Sequence, residues 1–348
     1  MQLATAMSKQ VATSLVTFSS TRSTSFLDGL RIETYASRPL RKSIANPWSV
    51  GFLKSVLCSD IVHIHQYCTM AGDLAALLCK FLSKPIFVTD HGGGGSLVLN
   101  RFIPIARCYT RAIAQSQYAA TGFRARLQER ISVIKGGIDT RQFCPDPGIQ
   151  IEKKILFVGR ITPHKGINYL IEAFAKLKRT DYTLTVLGRV YDSEFLEVLR
   201  QLAKGLSVRF IHDASDADLL AEYRSSRVAV LPSVATSLNG SFTSIAELMG
   251  MASLEAQACG TPVVCTDVAA LPEFVQHERT GIVTRQNSPD ALAAGIDAIL
   301  SLGDEEYSSF RQRSRAWARQ FDWKPVTDAH FALYSSALAK VNKAARVN

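Results

Sequence analysis

The chain has 348 residues, of which 47% are hydrophobic and 20% are charged, and its formal net charge is +10. This balance is typical of a soluble globular protein and excludes disorder, a collagen-like fibre and a coiled coil. The length predicts two domains of roughly 150 residues each, no apolar run approaches the ~18–20 residues that cross a bilayer, and the N-terminus lacks a signal-peptide pattern.

The first half of the chain contains short apolar runs and two helical stretches. The helices are predicted near 47–57 and 72–82. The apolar runs predict strands at 12–18, 30–35, 60–65, 85–89, 112–115 and 132–134. A segment with Pro145, Pro147 and Gly148, at 143–153, is predicted to link the two halves because these residues discourage regular structure.

The second half alternates strands and helices more regularly. Its strands are predicted at 155–158, 183–187, 208–211, 228–231, 262–265 and 282–284. Its helices are predicted at 167–177, 193–204, 216–224, 247–258 and 289–300, followed by a helical segment at 310–344. The strands are apolar throughout, as buried parallel strands are. The alternation therefore predicts an α/β fold with a doubly wound parallel sheet in each half.

The positive charge lies almost entirely in the first half. Residues 1–146 hold 17 Lys and Arg against 8 Asp and Glu, whereas residues 147–348 hold 23 against 22. This excess suggests an anionic partner, either a membrane surface, a phosphorylated acceptor or nucleic acid. Basic surface helices are also common on plain soluble proteins. The absence of any nucleic-acid-binding motif argues against nucleic acid.

The cysteines indicate a reducing compartment. There are seven, an odd number, and none forms a CxxC motif. Reduced thiols in a cytosolic protein are therefore expected.

Two basic residues lie between a predicted strand and a predicted helix. The segment 155–166 reads ILFVGRITPHKG, with Gly159 ending the strand and Arg160 and Lys165 in the following loop. Two fixed cations beside a helix N-terminus suit a diphosphate. Ligands of open α/β sheets bind outside the carboxyl ends of the strands, so this position weakens the alternative of a solvated basic loop.

Two glutamates, Glu247 and Glu255, are eight residues apart. On an ideal helix this spacing separates them by about 80°, but they need not share a helix face if Glu247 lies on the preceding loop. Gly250 leaves room for a ligand to approach the backbone closely. Two exposed helix glutamates remain an equally open alternative from the spacing alone.

These segments resemble the signature of the retaining family 4 glycosyltransferases of the GT-B fold, the glycosyl transferases group 1 domain. The matching stretches are VGRITPHKG at 158–166, the Glu247 and Glu255 pair, and EAQACGTPVV at 255–264. In the first half, DIVHIH at 60–65 and VTDHG at 88–92 match as well. The resemblance implies two Rossmann-like domains that face a cleft.

The resemblance also implies roles for individual residues. Arg160 and Lys165 match the pair that binds the donor diphosphate, and Glu255 matches the glutamate that binds the donor ribose. Glu247 matches the glutamate near the sugar ring, and His91 matches a histidine that approaches the sugar from the first domain. His91, Arg160, Lys165 and Glu247 are thus the candidate catalytic residues. Further donor-binding positions are Gly159, Gly188, Gly250, Met251 and Leu254.

The implied substrate is a nucleotide-diphosphate sugar, and neither a cofactor nor a metal is implied. The implied reaction retains the anomeric configuration, and the leaving phosphate oxygen itself helps to deprotonate the acceptor. Asp216 and Asp218 form a DxD sequence that is metal-binding in another glycosyltransferase fold. Here it follows Ser215 and opens an amphipathic stretch, so helix capping is expected instead.

The resemblance gives the expected domain boundaries. Residues 1–147 form the acceptor-side domain, residues 148–320 the donor-binding domain, and residues 321–348 a final helix that crosses back to the first domain. Family members begin with a strand and a glycine-rich loop, whereas Met1–Lys9 looks like the helix that follows them. The first domain is therefore expected to lack its N-terminal strand.

The expected function is transfer of a sugar to a glycan or lipid-linked acceptor in cell-surface polysaccharide or glycolipid synthesis. The expected location is the cytoplasm, with peripheral association at the inner face of the plasma membrane. Two alternatives remain, a sugar-phosphate synthase on the same scaffold and a degenerate GT-B protein without catalysis.

Overall fold

The computed structural model describes residues 1–40, 43–92, 102–123, 127, 129–243 and 246–345. The chain divides into two compact units, of which the first contains 1–137 with 323–348 and the second contains 138–322. The strands of the first unit are β1 Ser14–Ser19, β2 Ser23–Leu27, β3 Leu30–Ala36, β4 Arg38–Leu40, β5 Ser43–Trp48, β6 Val62–His65, β7 Ile86–Thr89, β8 Arg111–Ala114 and β9 Ile131–Val133. Its helices are α1 Gln2–Ser8, α2 Leu53–Cys58, α3 Met70–Phe81, α4 Gln117–Thr121 and, from the end of the chain, α11 Trp323–Ala345.

The second unit contains one six-stranded sheet with the order β12-β11-β10-β13-β14-β15, in which all neighbours are parallel. Its strands are β10 Glu152–Val158, β11 Thr183–Leu187, β12 Val208–Ile211, β13 Ser226–Leu231, β14 Val263–Thr266 and β15 Gly281–Thr284. Its helices are α5 Ile167–Leu177, α6 Ser193–Leu202, α7 Asp216–Ser225, α8 Met251–Ala258, α9 Pro289–Leu300 and α10 Asp304–Ala318. The strand order reverses between β10 and β13, as in a doubly wound Rossmann-like sheet.

The apolar runs predicted all six of these strands, and the side chains of β11, β13 and β14 are almost entirely buried. Phe157, Val186 and Val230 belong to one buried cluster with Leu170 of α5 and Ile296 of α9. Burial on both faces removes the polar alternation that a half-exposed strand would show. The predicted parallel α/β architecture is therefore confirmed in this unit.

The first unit is divided into three sheets. β1 pairs in parallel with β3, which also pairs antiparallel with β2, and β4 pairs with β5. A separate parallel sheet has the order β6-β7-β8-β9. Among the described residues, no strand joins β1 to β6.

The prediction of a helix at 47–57 was wrong over its first part. Residues up to Trp48 belong to β5, and α2 begins only at Leu53. Pro47 lies opposite Pro39 in the β4–β5 pair, a short edge pairing in which the missing N–H of proline is tolerated. The predictions also missed β2, because all five of its residues are exposed and carry no apolar pattern.

The predicted C-terminal helical segment is interrupted. α10 ends at Ala318 and α11 begins at Trp323, with an extended backbone at Asp322. The Asp322 carboxylate accepts hydrogen bonds from the backbone N–H and the hydroxyl of Thr140, the latter at 2.5 Å. α11 then contacts elements of the first unit, where Tyr334 hydrogen-bonds His63 at 2.7 Å.

The segment predicted as a linker is hydrogen-bonded to residues of the second unit. The boundary between the units in the sequence lies at 137/138 rather than near 147. Arg315 donates to the carbonyl oxygens of Phe143 and Thr140 at 2.6 and 2.7 Å. Arg224 donates to the carbonyl oxygen of Cys144 at 2.8 Å. Guanidinium groups thus satisfy backbone oxygens that the prolines and glycine keep out of regular structure.

The expected helix capping at Ser215 is confirmed. Ser215 and Asp218 form a capping box at the start of α7, in which the Ser215 hydroxyl accepts from the Asp218 N–H and the Asp218 carboxylate accepts from the Ser215 N–H. All seven cysteines are free thiols. In the described part of the chain, no helix has the length and apolar character that crossing a membrane requires.

Candidate functional site

The loop after β10 is held at the carboxyl edge of the second sheet. The backbone N–H of Gly159 donates to the Leu187 carbonyl at 3.0 Å, which continues the ladder beyond the last residue of the strand. A single 3-10 turn, Pro163–Lys165, then leads into α5. Ligands of open α/β sheets bind outside the carboxyl ends of the strands, so this loop lies at the ligand-binding edge.

Two glycines let this loop pack closely. Gly166 has φ +66°, and a Cβ there would lie 2.0 Å from the Pro232 carbonyl oxygen. A Cβ on Gly188 would lie 1.8 Å from the Gly159 carbonyl oxygen. Any larger residue at either position would force the backbone apart. Gly188 therefore has a packing role that does not depend on a donor.

The structure brings Lys165 and Glu247 together. The Lys165 ammonium lies 2.5 Å from Glu247 Oε2, and the two side chains are 13% and 15% exposed. Ser233, which follows β13, has its hydroxyl 3.5 Å from the same carboxylate oxygen. β10 and β13 are neighbours in the sheet, so loops that are 82 residues apart in sequence meet at one edge.

Arg160 extends into solvent beside this pair's loop. Its guanidinium carbon lies 5.7 Å from the centre of the Tyr191 ring, a cation–π distance. The side chain is exposed, and it has no ion-pair partner among the residues that the structure describes. Its positive charge is therefore available to an incoming anion.

His164 lies between these two cations in the sequence, and its imidazole is neutral near pH 7. Burial lowers the pKa of His164 to about 4, and the positive charges of Lys165 and Arg160 act in the same direction. The His164 carbonyl accepts from the Val234 N–H at 2.9 Å. This bond fastens the loop after β10 to the loop after β13.

The two glutamates occupy different local structures. The helix predicted at 247–258 begins only at Met251, so Glu247 lies on the loop before α8 and Glu255 lies within the helix. The Tyr223 hydroxyl donates to Glu255 Oε2 at 2.8 Å. Burial raises the pKa of Glu255, while the hydrogen bond from Tyr223 opposes that shift.

Gly250 is the N-cap residue of α8, and no side chain caps the helix at this end. A Cβ on Gly250 would meet its nearest neighbours at 3.4 Å, an ordinary contact distance, and its φ is −83°. Packing inside the unit therefore does not require glycine here, unlike at Gly166. Met251 is the first helical residue, and Leu254 is fully buried in the second turn with its N–H bonded to the Gly250 carbonyl at 3.1 Å.

His91 belongs to the first unit, where it follows β7. Its Nε2 lies 3.1 Å from Nδ1 of His65, and the two rings stack. Partial desolvation lowers the pKa of His91, and the neighbouring Asp90 carboxylate opposes the shift. With its pKa lowered, the imidazole of His91 is neutral near pH 7.

Sequence reasoning missed three of these neighbours. Tyr223, Ser233 and Tyr191 contact Glu255, Glu247 and Arg160 respectively. Ser233 alone carries a signal, because it directly follows the Leu-Pro that ends the β13 run. The two tyrosines contact their partners through the fold and have no local pattern. Within the described residues, no group of three or more His, Cys, Asp and Glu side chains is arranged to hold a metal.

Comparison with known proteins identifies the family. The model described as "Glycosyl transferases group 1" matches residues 145–317, and "Glycosyltransferase Family 4" matches residues 1–142. An uncharacterized glycosyltransferase of Methanocaldococcus jannaschii is 34% identical over 82% of this chain and 77% of its own length. A GDP-mannose:cellobiosyl-diphosphopolyprenol alpha-mannosyltransferase of Xanthomonas oryzae is 24% identical over 90% of this chain and 86% of its own.

The fold agrees with that identification. The crystal structure of Anabaena HepE in complex with UDP and glucose matches with a TM-score of 0.68, 20% identity, and coverage of 89% of this chain and 87% of the other. The predicted GT-B fold is thereby confirmed. With family models over both units and a relative above 30% identity, the chain belongs to the group 1, family 4 glycosyltransferases.

Proposed function

We propose that this glycosyltransferase transfers a hexose from a nucleotide-diphosphate sugar to a glycan or lipid-linked acceptor, with retention of anomeric configuration and without a metal. The observation that carries the proposal is the Lys165–Glu247 pair, because Lys165 lies in the same loop as the exposed Arg160. The relatives support the donor class, since GDP-mannose stands in the name of the Xanthomonas protein and the Anabaena structure holds UDP and glucose.

Donor binding would exchange the partner of Lys165. In the structure the ammonium is neutralised by Glu247 at 2.5 Å. Phosphate oxygens would take over the ammonium, and the Glu247 carboxylate would then accept hydrogen bonds from sugar hydroxyls. Arg160 supplies the second cation. As the bond from the anomeric carbon to the diphosphate breaks, negative charge grows on the leaving oxygen, where preorganised cations lower the barrier most.

The remaining donor contacts follow from α8 and its neighbours. The N–H groups at the start of α8 favour negative charge, and Gly250 places no side chain over the backbone at that end of the helix. Glu255 would accept hydrogen bonds from the ribose hydroxyls.

The proposed transfer balances on one face of the sugar. The acceptor oxygen bonds to the anomeric carbon on the side from which the diphosphate leaves. The acceptor proton passes to the leaving phosphate oxygen. Retention follows because the new and old bonds occupy the same face, and the cations of Arg160 and Lys165 replace the charge that a metal would supply.

The acceptor is proposed to be anionic or lipid-linked. The excess of 17 Lys and Arg over 8 Asp and Glu in residues 1–146 would attract such an acceptor. The Xanthomonas relative is named for a diphosphopolyprenol-linked acceptor. We propose synthesis of a cell-surface polysaccharide or glycolipid at the inner face of the membrane. Flotation with anionic vesicles tests this, and protein that stays at the bottom of the gradient argues against it.

A donor screen tests the activity itself. Purified protein is titrated by calorimetry with UDP, GDP, ADP and CMP, and the binder is then assayed as its sugar conjugates with lipid-diphosphate, glycan and sugar-phosphate acceptors. Turnover that survives EDTA and yields a retained anomer by NMR supports the proposal. Turnover only on a sugar phosphate favours the sugar-phosphate synthase, and nucleotide binding without turnover on any acceptor favours a non-catalytic GT-B protein.

A further inference from the structure

Tyr223 is a buried tyrosine whose hydroxyl contacts a candidate site residue. It lies near the end of α7 and is 0% exposed. Its ring packs edge-to-face on Phe143, with the centroids 6.2 Å apart, and its carbonyl accepts from the Thr261 hydroxyl at 2.6 Å. The ring and backbone are thus fixed by neighbours other than Glu255. The hydroxyl is fixed in turn, and donates to Glu255 Oε2 at 2.8 Å.

The Glu255 carboxylate is held by one oxygen only. In the part of the chain that the structure describes, Tyr223 is the sole side-chain partner of this carboxylate. Glu255 is only partly buried. Its Oε1 is not a buried oxygen atom without a partner, so this oxygen reaches accessible space. A carboxylate fixed at one oxygen and open at the other can accept from an external hydroxyl.

Because Glu255 is partly buried, the hydrogen bond from Tyr223 affects its protonation. Burial raises the pKa of Glu255 and the Tyr223 hydroxyl counteracts it. A hydrogen bond to a charged group is stronger than a neutral one, because the ionised form gains from it selectively. The protonated acid would lose part of its capacity to accept hydroxyl hydrogen bonds.

We propose that Tyr223 is a positioning residue that holds Glu255 ionised and oriented toward the ribose diol of the nucleotide. This inference rests on the proposed function, since it takes Glu255 as the ribose ligand. Tyr223 touches no substrate in this scheme and acts only through Glu255. It should therefore govern donor affinity more than the rate of bond cleavage.

The test is Tyr223→Phe, which removes one oxygen and keeps the ring. The matched control is Tyr307→Phe, because Tyr307 is 4% exposed and its hydroxyl donates to the Arg227 carbonyl at 2.7 Å, among other elements of the same unit. We expect Tyr223→Phe to raise Kd for the nucleoside diphosphate and KM for its sugar conjugate about 10- to 100-fold, the range of a hydrogen bond to a charged group. We expect kcat to change less than threefold, and Tyr307→Phe to leave both constants unchanged.

Two further readouts separate positioning from a structural role. The loss of affinity in Tyr223→Phe should grow as pH falls from 8 to 5, because Glu255 without its donor takes up a proton at higher pH. The 2′,3′-dideoxy nucleotide should bind the wild type and Tyr223→Phe with nearly equal affinity, because both hydroxyls that would donate to Glu255 are gone. A merely structural defect would weaken all nucleotides alike and leave the pH profile unmoved.

A second variant keeps the inference testable if Tyr223→Phe folds poorly. Glu255→Gln keeps the shape of the side chain, and in that background Tyr223→Phe should add little further loss of affinity. Wild-type protein that binds a nucleoside diphosphate, with Tyr223→Phe binding equally well at every pH, overturns the inference alone. Wild-type protein that binds no nucleoside diphosphate overturns the proposed function and the inference together.

Discussion

The second unit contains two lysine–glutamate pairs of similar burial at opposite ends of β10. At the amino end, Lys154 and Glu222 lie 3.0 Å apart with side chains 8% and 11% exposed. At the carboxyl end, Lys165 and Glu247 lie 2.5 Å apart with side chains 13% and 15% exposed. By distance and burial alone, the two pairs would be assigned the same role.

Their surroundings differ. Lys154 also contacts Glu152 at 3.0 Å and the Ser225 hydroxyl at 2.9 Å, and Glu222 also binds Arg209. Within the residues that the structure describes, the Lys165 ammonium contacts Glu247 alone, and the Glu247 carboxylate adds only the Ser233 hydroxyl at 3.5 Å. A pair enclosed in a network loses stability when one member is removed, whereas a pair with few other contacts can exchange partners. The amino-end pair is therefore structural, and the carboxyl-end pair is free to bind an anion.

The largest expected effect is on turnover at the carboxyl end. Lys165→Ala should lower kcat about 10²–10³-fold, the loss that follows removal of one transition-state donor. Its free energy of unfolding should change by about 1 kcal/mol, because Glu247 keeps access to water. Steady-state kinetics and urea unfolding measure the two quantities. Lys176→Ala is the control, since Lys176 pairs with Asp290 at 2.7 Å with both side chains exposed. Unchanged turnover in Lys165→Ala would make the two ends equivalent.

The amino end should show the reverse. Glu222→Ala leaves Lys154 buried with the exposed Glu152 carboxylate as its one remaining counter-ion among the described residues, so unfolding should cost about 3 kcal/mol less. Nucleotide affinity of the folded variant should equal that of the wild type. Asp181→Ala is the matched control, because Asp181 pairs at 2.7 Å with Lys153 and both side chains are exposed. A loss no greater than the ~0–1 kcal/mol of a surface pair would contradict the structural assignment.

Partner exchange at Lys165 is tested by Glu247→Gln. Removing the carboxylate charge leaves the ammonium without its internal anion, so a free nucleoside diphosphate should bind severalfold more tightly, on the order of 1 kcal/mol. Turnover of the sugar conjugate should fall, because the sugar loses a hydrogen-bond acceptor. Calorimetry should show the rise in nucleotide affinity, and kinetics on the same preparation should show the fall in turnover. If nucleotide affinity falls together with turnover, Lys165 does not exchange Glu247 for the phosphate oxygens of the donor.

The sequence predicted the second unit better than the first for a physical reason. Strands such as β11 are buried on both faces and stand out as continuous apolar runs, whereas β2 is exposed at every residue. The site loop was found because Arg160 and Lys165 lie between a strand and a helix. The start of α8 was placed too early because 247–250 contains ordinary helix-forming residues before Gly250.

The pairings within the site lay beyond the sequence. Lys165 meets Glu247 across 82 residues, and Tyr223 meets Glu255 across 32. Neither separation has a local periodicity, since each depends on which strands become neighbours in the sheet. The family resemblance could therefore nominate Glu247 and Glu255, but only the fold could give each its partner.

The smallest expected effect concerns pH at the carboxyl end. The pKa of His164 lies at about 4 in the folded chain, below its usual value of 6.5. Between these values the unfolded chain binds a proton at His164 that the folded chain excludes, so the free energy of unfolding falls as pH decreases from 6.5 toward 4. His164→Gln should lose less stability than the wild type between pH 7.5 and pH 5. The contributions of the other histidines to the pH dependence of the free energy of unfolding cancel in this difference, because both proteins retain them. Saturating nucleoside diphosphate should shrink the difference, since its charge offsets Lys165 and Arg160. Parallel pH profiles for the two proteins would show that neither burial nor the two cations lowers the pKa of His164.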